Sequence, residues 1–200
     1  SYGFLMCGIY GCISIDAADK VLEGLRKLEY RGYDSAGLAA MFAGDDAHIE
    51  TERTTGYVSD LVSKANGRFQ GAAISIGHTR WATHGGVTDY NAHPHSSQDG
   101  NITIVHNGII ENSNQLSRRV SKLGYELTSE TDTEVIVHLL DHEIKTQPEG
   151  EGPLEAFSRV INQLQGSWAI AAMISGVKGI LVSRMGAPMV IGKGQNNISV

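Results

Sequence analysis

A cysteine at position 7 stands in the run Met6-Cys7-Gly8-Ile9-Tyr10-Gly11. Met followed by Cys is one way a cell makes an N-terminal cysteine, which carries a thiol nucleophile and an α-amine on one framework. Such an amine has an unperturbed pKa of about 7.7–8.0 and can accept a proton near neutral pH. As written, five residues (Ser1-Tyr2-Gly3-Phe4-Leu5) precede Met6, so the Cys7 nitrogen is an amide and cannot be a base. Three further runs hold reactive or charged groups. Gly77-His78-Thr79-Arg80-Trp81-Ala82-Thr83-His84-Gly85-Gly86 packs a cation, hydroxyls, imidazoles and a flat aromatic into a few positions. Arg can grip a carboxylate with two parallel hydrogen bonds; the alternative is an ordinary surface loop. In His106-Asn107-Gly108, an Asn amide beside a Gly N–H offers two convergent donors for a developing oxyanion. Asn-Gly is equally a hairpin turn. In Ser129-Glu130-Thr131-Asp132-Thr133-Glu134, an acid opens a helix. It either complements the helix dipole or binds a substrate ammonium.

The eight histidines raise a metal question. His138 and His142 stand at i and i+4, but the intervening residues lack the Glu that a zinc protease uses. Neither cysteine has a CxxC partner, so no metal is expected. Cys12 reads as core packing. Gly192-Lys193-Gly194 is too short for a phosphate loop and reads as a turn.

The elements that must position these groups follow from periodicity. Strands are expected over 9–15, 36–42, 48–53, 72–78, 101–106, 168–174, 179–183 and 189–191, with a turn at Gly44-Asp45-Asp46. Apolar residues at Val21, Leu22, Leu25 and Leu28 have helical spacing, predicting a helix over 17–30. Further helices are expected over 58–65, 112–123, 132–145 and 154–164. Thr131 and Glu134 are placed for a capping box at the third of these four. Residues 79–100 form one long loop, and a loop of that length in a compact domain is usually functional. Strands cluster at both ends and the longest helices lie in the middle. There is no βαβα alternation, which favours an α+β fold of stacked, largely antiparallel sheets with helical layers.

The 200 residues fit one domain or one large layered one. At 41% hydrophobic and 19% charged, the chain reads as an ordinary globule. A net charge of −6 argues against a nucleic-acid partner, which needs a basic surface. The longest apolar run, 169–174, is far too short to span a bilayer, so no membrane partner is expected. Two cysteines make no disulfide framework and favour a reducing compartment, the cytoplasm. Ser1–Met6 lacks a positive n-region and is no secretory signal.

Taken together the runs are specific. Met6–Gly11, Glu29-Tyr30-Arg31-Gly32-Tyr33-Asp34-Ser35-Ala36-Gly37, Gly77–Gly85, Asn91-Ala92-His93-Pro94-His95, His106–Asn112 and Ser129–Glu134 occur in order. Cys-Gly-Ile with His-Asn-Gly resembles class II glutamine amidotransferases. The blocks 29–37 and 78–85 resemble, more narrowly, the N-terminal glutaminase domain of the glutamine–fructose-6-phosphate aminotransferase family. The resemblance covers residue 6 to the end. It implies a four-layer αββα sandwich of the N-terminal-nucleophile hydrolase type and no cofactor. It implies L-glutamine as substrate, with Cys7 attacking the side-chain amide and its freed α-amine moving the proton. Asn107 and the Gly108 N–H would hold the oxyanion, Arg80 the α-carboxylate and Asp132 the α-ammonium. Thr83 and His84 would line the site, Trp81 would gate ammonia, and Arg31 with Gly32 would shape the surroundings of Cys7.

Two departures go with it. Residues 1–6 are expected to be a tag, a gene-model artefact or a removed segment, leaving 7–200 as the amidotransferase domain. The strand-like end at Asn197-Ile198-Ser199-Val200 is expected to be a cut. The family's C-terminal sugar-phosphate isomerase domain is not in these residues, so glutamine hydrolysis is the most this chain would perform. The full-length protein would be a homodimer and this fragment a monomer. Two other readings stand beside this one. One is another class II amidotransferase, such as that acting on phosphoribosyl pyrophosphate. The other is a glutamine-binding domain without turnover.

Overall fold

The computed structural model describes residues 7–44, 47–82 and 85–200. Ten strands and five helices are described. They are β1 (Gly8–Ile13), α1 (Ala17–Leu28), β2 (Ser35–Phe42), β3 (His48–Thr55), α2 (Val58–Ala65), β4 (Ile74–Arg80), β5 (His95–Ser96), β6 (Ile102–Ile110), α3 (Ser113–Lys122), α4 (Asp132–Thr146), α5 (Pro153–Ile161), β7 (Gly166–Ile174), β8 (Leu181–Met185), β9 (Gly192–Lys193) and β10 (Ile198–Ser199). They make two sheets, ordered β3-β2-β4-β1-β10-β9 and β5-β6-β7-β8, and every paired ladder is antiparallel.

Three apolar cores stack these layers. Ala17, Val21 and Leu25 of α1, with Val58 and Leu61 of α2, bury against Leu38 and Ala40 of the first sheet. Ala39, Met41, Ile74 and Ile76 meet Val105, Ala171 and Met173 between the sheets. Val135, Ile136, Leu139 and Leu140 of α4, with Phe157 and Val160 of α5, cover Ile104, Ile170 and Ala172 of the second sheet. Each fully buried Leu or Ile contributes about 1.5–3 kcal/mol. Helices thus lie outside both sheets, as the clustering of strands and helices suggested, and in the order αββα that the resemblance implied.

Most departures from expectation at the strands come from tertiary pairing. β1 ends at Ile13, with Ser14 bonding Ala73 outside the ladder. α1 ends at Leu28 and tightens into a 3₁₀ turn, Glu29–Arg31. β4 runs on through Arg80, where a loop was expected, because Thr79 pairs with Gly8 and Arg80 with Ser35. β5 lies inside the expected loop and pairs with β6. β6 continues past His106 to Ile110 along β7, so Asn107-Gly108 is no hairpin turn. No strand forms at 189–191. Gly192–Lys193, expected as a turn, is β9 and pairs with β10, which in turn pairs with β1. α5 starts with Pro153 at its first turn and stops at Ile161. Asp45 and Asp46 of the expected turn lie outside the described residues.

Candidate active site

Cys7 is the residue before β1, an inner strand of the first sheet. Its neighbour β4 ends at Arg80, so the Gly8–Thr79 register sets the thiol beside the arginine and Trp81. The Trp81 N–H donates to Cys7 Sγ at 3.3 Å, and the thiol faces the Trp81 carbonyl at 3.7 Å. Burial pushes the Cys7 thiol up, and the Trp81 N–H and the Arg80 charge oppose it without cancelling it. Arg80 is buried; its Nη1 donates to the Gly86 carbonyl at 3.1 Å. Burial lowers its pKa, against the pull of Cys7, Asp34, Glu130 and Asp132.

The second sheet supplies the facing groups. Asn107 Nδ2 donates to the Cys7 carbonyl at 3.0 Å. Gly108 has φ +123°, and a Cβ there would lie 2.0 Å from the Ser167 carbonyl oxygen of β7. Only glycine fits, and the bare backbone fronts the cavity. Asp132 opens α4. Its Oδ2 accepts the Ile110 N–H at 2.8 Å and its Oδ1 lies 3.5 Å from His106 Nδ1. Burial works to raise the Asp132 carboxyl, but His106 and the Ile110 N–H outweigh it, leaving a carboxylate below its ordinary range. A cavity of about 390 Å³ is lined by Cys7, Arg80, Trp81, Gly108 and Asp132 together. It holds a thiol, a fixed cation and a fixed anion, which is what an α-amino acid with a reactive side chain requires.

Asn107 lines a second cavity of about 410 Å³, together with Cys7 and Arg31. Gly32 lies against the Arg80–Trp81 peptide; a Cβ on it would be 2.7 Å from Arg80 C. Trp81 packs edge-on to Tyr33, with ring centroids 5.0 Å apart. Thr83 and His84 lie outside the described residues. The capping box at α4 is not made: Thr131 bonds His95 and Ser129. Glu134 instead accepts from the Thr128 and Ser129 backbone N–H groups and hydroxyls. Among the described residues no group of three or more His, Cys, Asp and Glu is placed to hold a metal.

Several contributors were not singled out from sequence. Asp34 accepts the Ala82 N–H at 2.7 Å, and Glu130 ties Gly86 to Asn91 behind Arg80. His78 bonds Asn107, and His93 and His106 both contact Thr133 Oγ1. The one available signal was alternation: Ile76, His78 and Arg80 share a strand face, so a polar residue two before Arg80 points the same way.

The chain belongs to the glutamine amidotransferase domain family, whose model matches residues 78–195. Its fold is the four-layer sandwich of the N-terminal-nucleophile hydrolase type. Two solved structures show the same fold. One is the glutamine phosphoribosylpyrophosphate amidotransferase of B. subtilis, complexed with ADP and GMP (TM-score 0.79, 21% identity, 96% of this chain, 40% of that one). The other is described as the allosteric regulatory enzyme of purine biosynthesis (TM-score 0.80, 23% identity, 96% and 40%). Sequence similarity is higher to proteins named glutamine–fructose-6-phosphate aminotransferase [isomerizing]. That of Acidithiobacillus ferridurans is 47% identical over 94% of this chain and 30% of its own length. That of Sulfurisphaera tokodaii is 42% identical over 97% and 33%. The chain therefore spans about a third of the length of these relatives.

Proposed function

We propose that this domain hydrolyses the side-chain amide of L-glutamine to glutamate and ammonia. The observation that carries the reading is the sharing of one cavity by Cys7, Arg80 and Asp132. Arg80 takes the α-carboxylate and Asp132 the α-ammonium, which leaves the side-chain amide facing the thiol. The Cys7 sulfur bonds to the amide carbon and its proton passes to a nearby base. Asn107 Nδ2 and the Gly108 N–H receive the oxyanion, where one such donor is typically worth about 10²–10³ in rate. The intermediate collapses, the C–N bond breaks, and the nitrogen leaves as ammonia with that proton. Water then attacks the γ-thioester, releasing glutamate and restoring the thiol. Trp81 gates the departing ammonia, and Arg31 and Gly32 hold the surroundings of Cys7.

The base is the Cys7 α-amine, so the active form is the one that starts at Cys7, without residues 1–6. A buried thiol with a raised pKa needs such a base, because the thiolate is the nucleophile. In the full-length protein the ammonia passes to a C-terminal isomerase domain that converts fructose 6-phosphate to glucosamine 6-phosphate, in a cytoplasmic homodimer. The names of the similar proteins and their length beyond this domain support the further domain and its aminotransferase reaction. Among the described residues no helix is long and apolar enough to cross a membrane.

The test pairs intact-mass measurement with ammonia release. A chain starting at Cys7 is expected to hydrolyse glutamine, and Cys7→Ala to abolish it. Native-rate hydrolysis by Cys7→Ala would overturn the assignment. Full activity from a chain proven to start at Ser1 would overturn the amine's role alone.

A further inference from the structure

Behind the oxyanion donors lies a buried imidazole with no part in the chemistry above. His78 sits on β4, two residues before Arg80, and is 1% exposed. Its Nε2 lies 2.8 Å from Asn107 Oδ1 and 3.1 Å from the His106 carbonyl oxygen. A carbonyl oxygen can only accept, so Nε2 must carry the hydrogen. That fixes the tautomer, and the tautomer demands an acceptor at the Asn107 atom it faces. The Asn107 oxygen must therefore point to His78 and its NH₂ to the nucleophile. At the other end, Nδ2 meets the Cys7 carbonyl at 3.0 Å, again a pure acceptor. The amide is locked at both ends.

With the oxyanion role of Asn107 proposed above as its foundation, we propose that His78 is a positioning residue, whose Nε2–H dictates which end of the Asn107 amide meets the developing oxyanion. The ring's own surroundings fit this task. His78 Nδ1 is buried and has no hydrogen-bond partner among the described residues, which suits a ring with its one hydrogen on Nε2. Burial lowers its pKa to about 3, and the ring stays neutral in working conditions. One face stacks on His93 at 4.2 Å between centroids. His93 Nε2 contacts Thr133 Oγ1 at 2.7 Å, and Thr133 follows Asp132 in the first turn of α4. The ring is thus held between the strand of Arg80 and the helix of Asp132. A flipped Asn107 amide would set its oxygen against both the Cys7 carbonyl and the oxyanion, converting a donor into a repulsion.

The test uses the intact protein with Cys7 at its N-terminus and the variants His78→Gln and His78→Asn. A Gln amide nitrogen takes the place of Nε2, whereas an Asn amide nitrogen takes that of Nδ1 and falls short of Asn107. Both are polar and similarly costly to bury. His78→Asn is expected to lower kcat about 10²-fold, the value of one oxyanion donor, with KM little changed. His78→Gln is expected to recover most of that loss. Alkylation of Cys7 by iodoacetamide, which forms no oxyanion, is expected to proceed at the native rate in both. Equal losses in the two variants, native kcat in His78→Asn, or alkylation falling in step with hydrolysis would each overturn the positioning role. Asn107→Ala separates the two levels: native kcat there would sink the oxyanion reading itself, whereas a deep loss there with an unaffected His78→Asn would sink only this one.

Discussion

Replacing Gly108 by alanine tests fold and site together. A non-glycine residue at φ +123° carries backbone strain of about 1–3 kcal/mol. The added Cβ would also lie 2.0 Å from the Ser167 oxygen and 2.9 Å from Trp168 Cα. Both neighbours are backbone atoms of β7 and cannot rotate away. Relief requires spreading β6 from β7 where Gly108 pairs with Trp168. Losing two ladder hydrogen bonds there costs about 0.5–1.5 kcal/mol each. The expected destabilisation is about 2–6 kcal/mol, a large share of the 5–15 kcal/mol typical of a domain. Gly124→Ala is the control. That glycine has φ +92°, but a Cβ added to it would meet nothing within 4 Å, so only the strain remains. Urea unfolding of both variants, read as midpoint at constant slope, gives the comparison. Equal midpoint shifts would refute the steric reasoning. If Gly108→Ala folds, its hydrolysis of glutamine is expected to fall as its N–H is displaced.

Other outcomes follow from the two charged grips and from the buried histidines. Arg80→Ala is expected to raise KM for glutamine about 10–150-fold, the equivalent of 1.5–3 kcal/mol for a charge-assisted contact; an unchanged KM would remove Arg80 from substrate binding. Asp132→Asn keeps the acceptor for the Ile110 N–H but loses the charge. The native protein should favour glutamine over an analogue lacking the α-ammonium, and this variant should lose the preference; a retained preference assigns the ammonium elsewhere. Stability should fall on acidification, because burial holds His78 and His95 at about 3 and His93 well below its ordinary value. A depressed folded pKa gives stability that is complete above the unfolded value of about 6.5 and lost as pH falls below it. Each such group contributes up to about 1.4 kcal/mol per pH unit in that window. Urea midpoints that stay flat from pH 6.5 to 5 would show that these rings are not buried and neutral.

Much of the candidate site was legible because its residues are chemically conspicuous. Cys7 before a strand, Arg80 in a polar run at a strand's end and Asp132 at a helix start each stand out by type and local context. The layered architecture was legible too, since strand and helix periods separate along the chain. What escaped was fixed by pairing partners and not by local pattern. β5, β9 and β10 are two residues each and exist only through their ladders. Asn107-Gly108 carries the signature of a hairpin turn yet lies within a strand, because β7 pairs along its full length. The Thr131 hydroxyl abandons its helix for His95, a partner 36 residues away. His78 meets Asn107 across 29 residues, and no local pattern announces that pairing.

The division of labour between the two sheets has a consequence for the chain during folding. The thiol and Arg80 stand on the first sheet, whereas Asn107, Gly108 and the strand that tethers Asp132 belong to the second. Neither sheet alone holds a complete set. A nascent or partly opened chain with only one sheet formed has the thiol without Asn107 and Gly108, or those two without the thiol. On the roles proposed above, hydrolysis needs both sheets in place, with Ile76 and Met41 packed against Val105 and Met173. On that reading reactivity comes late in assembly, and a molecule whose sheets part loses it.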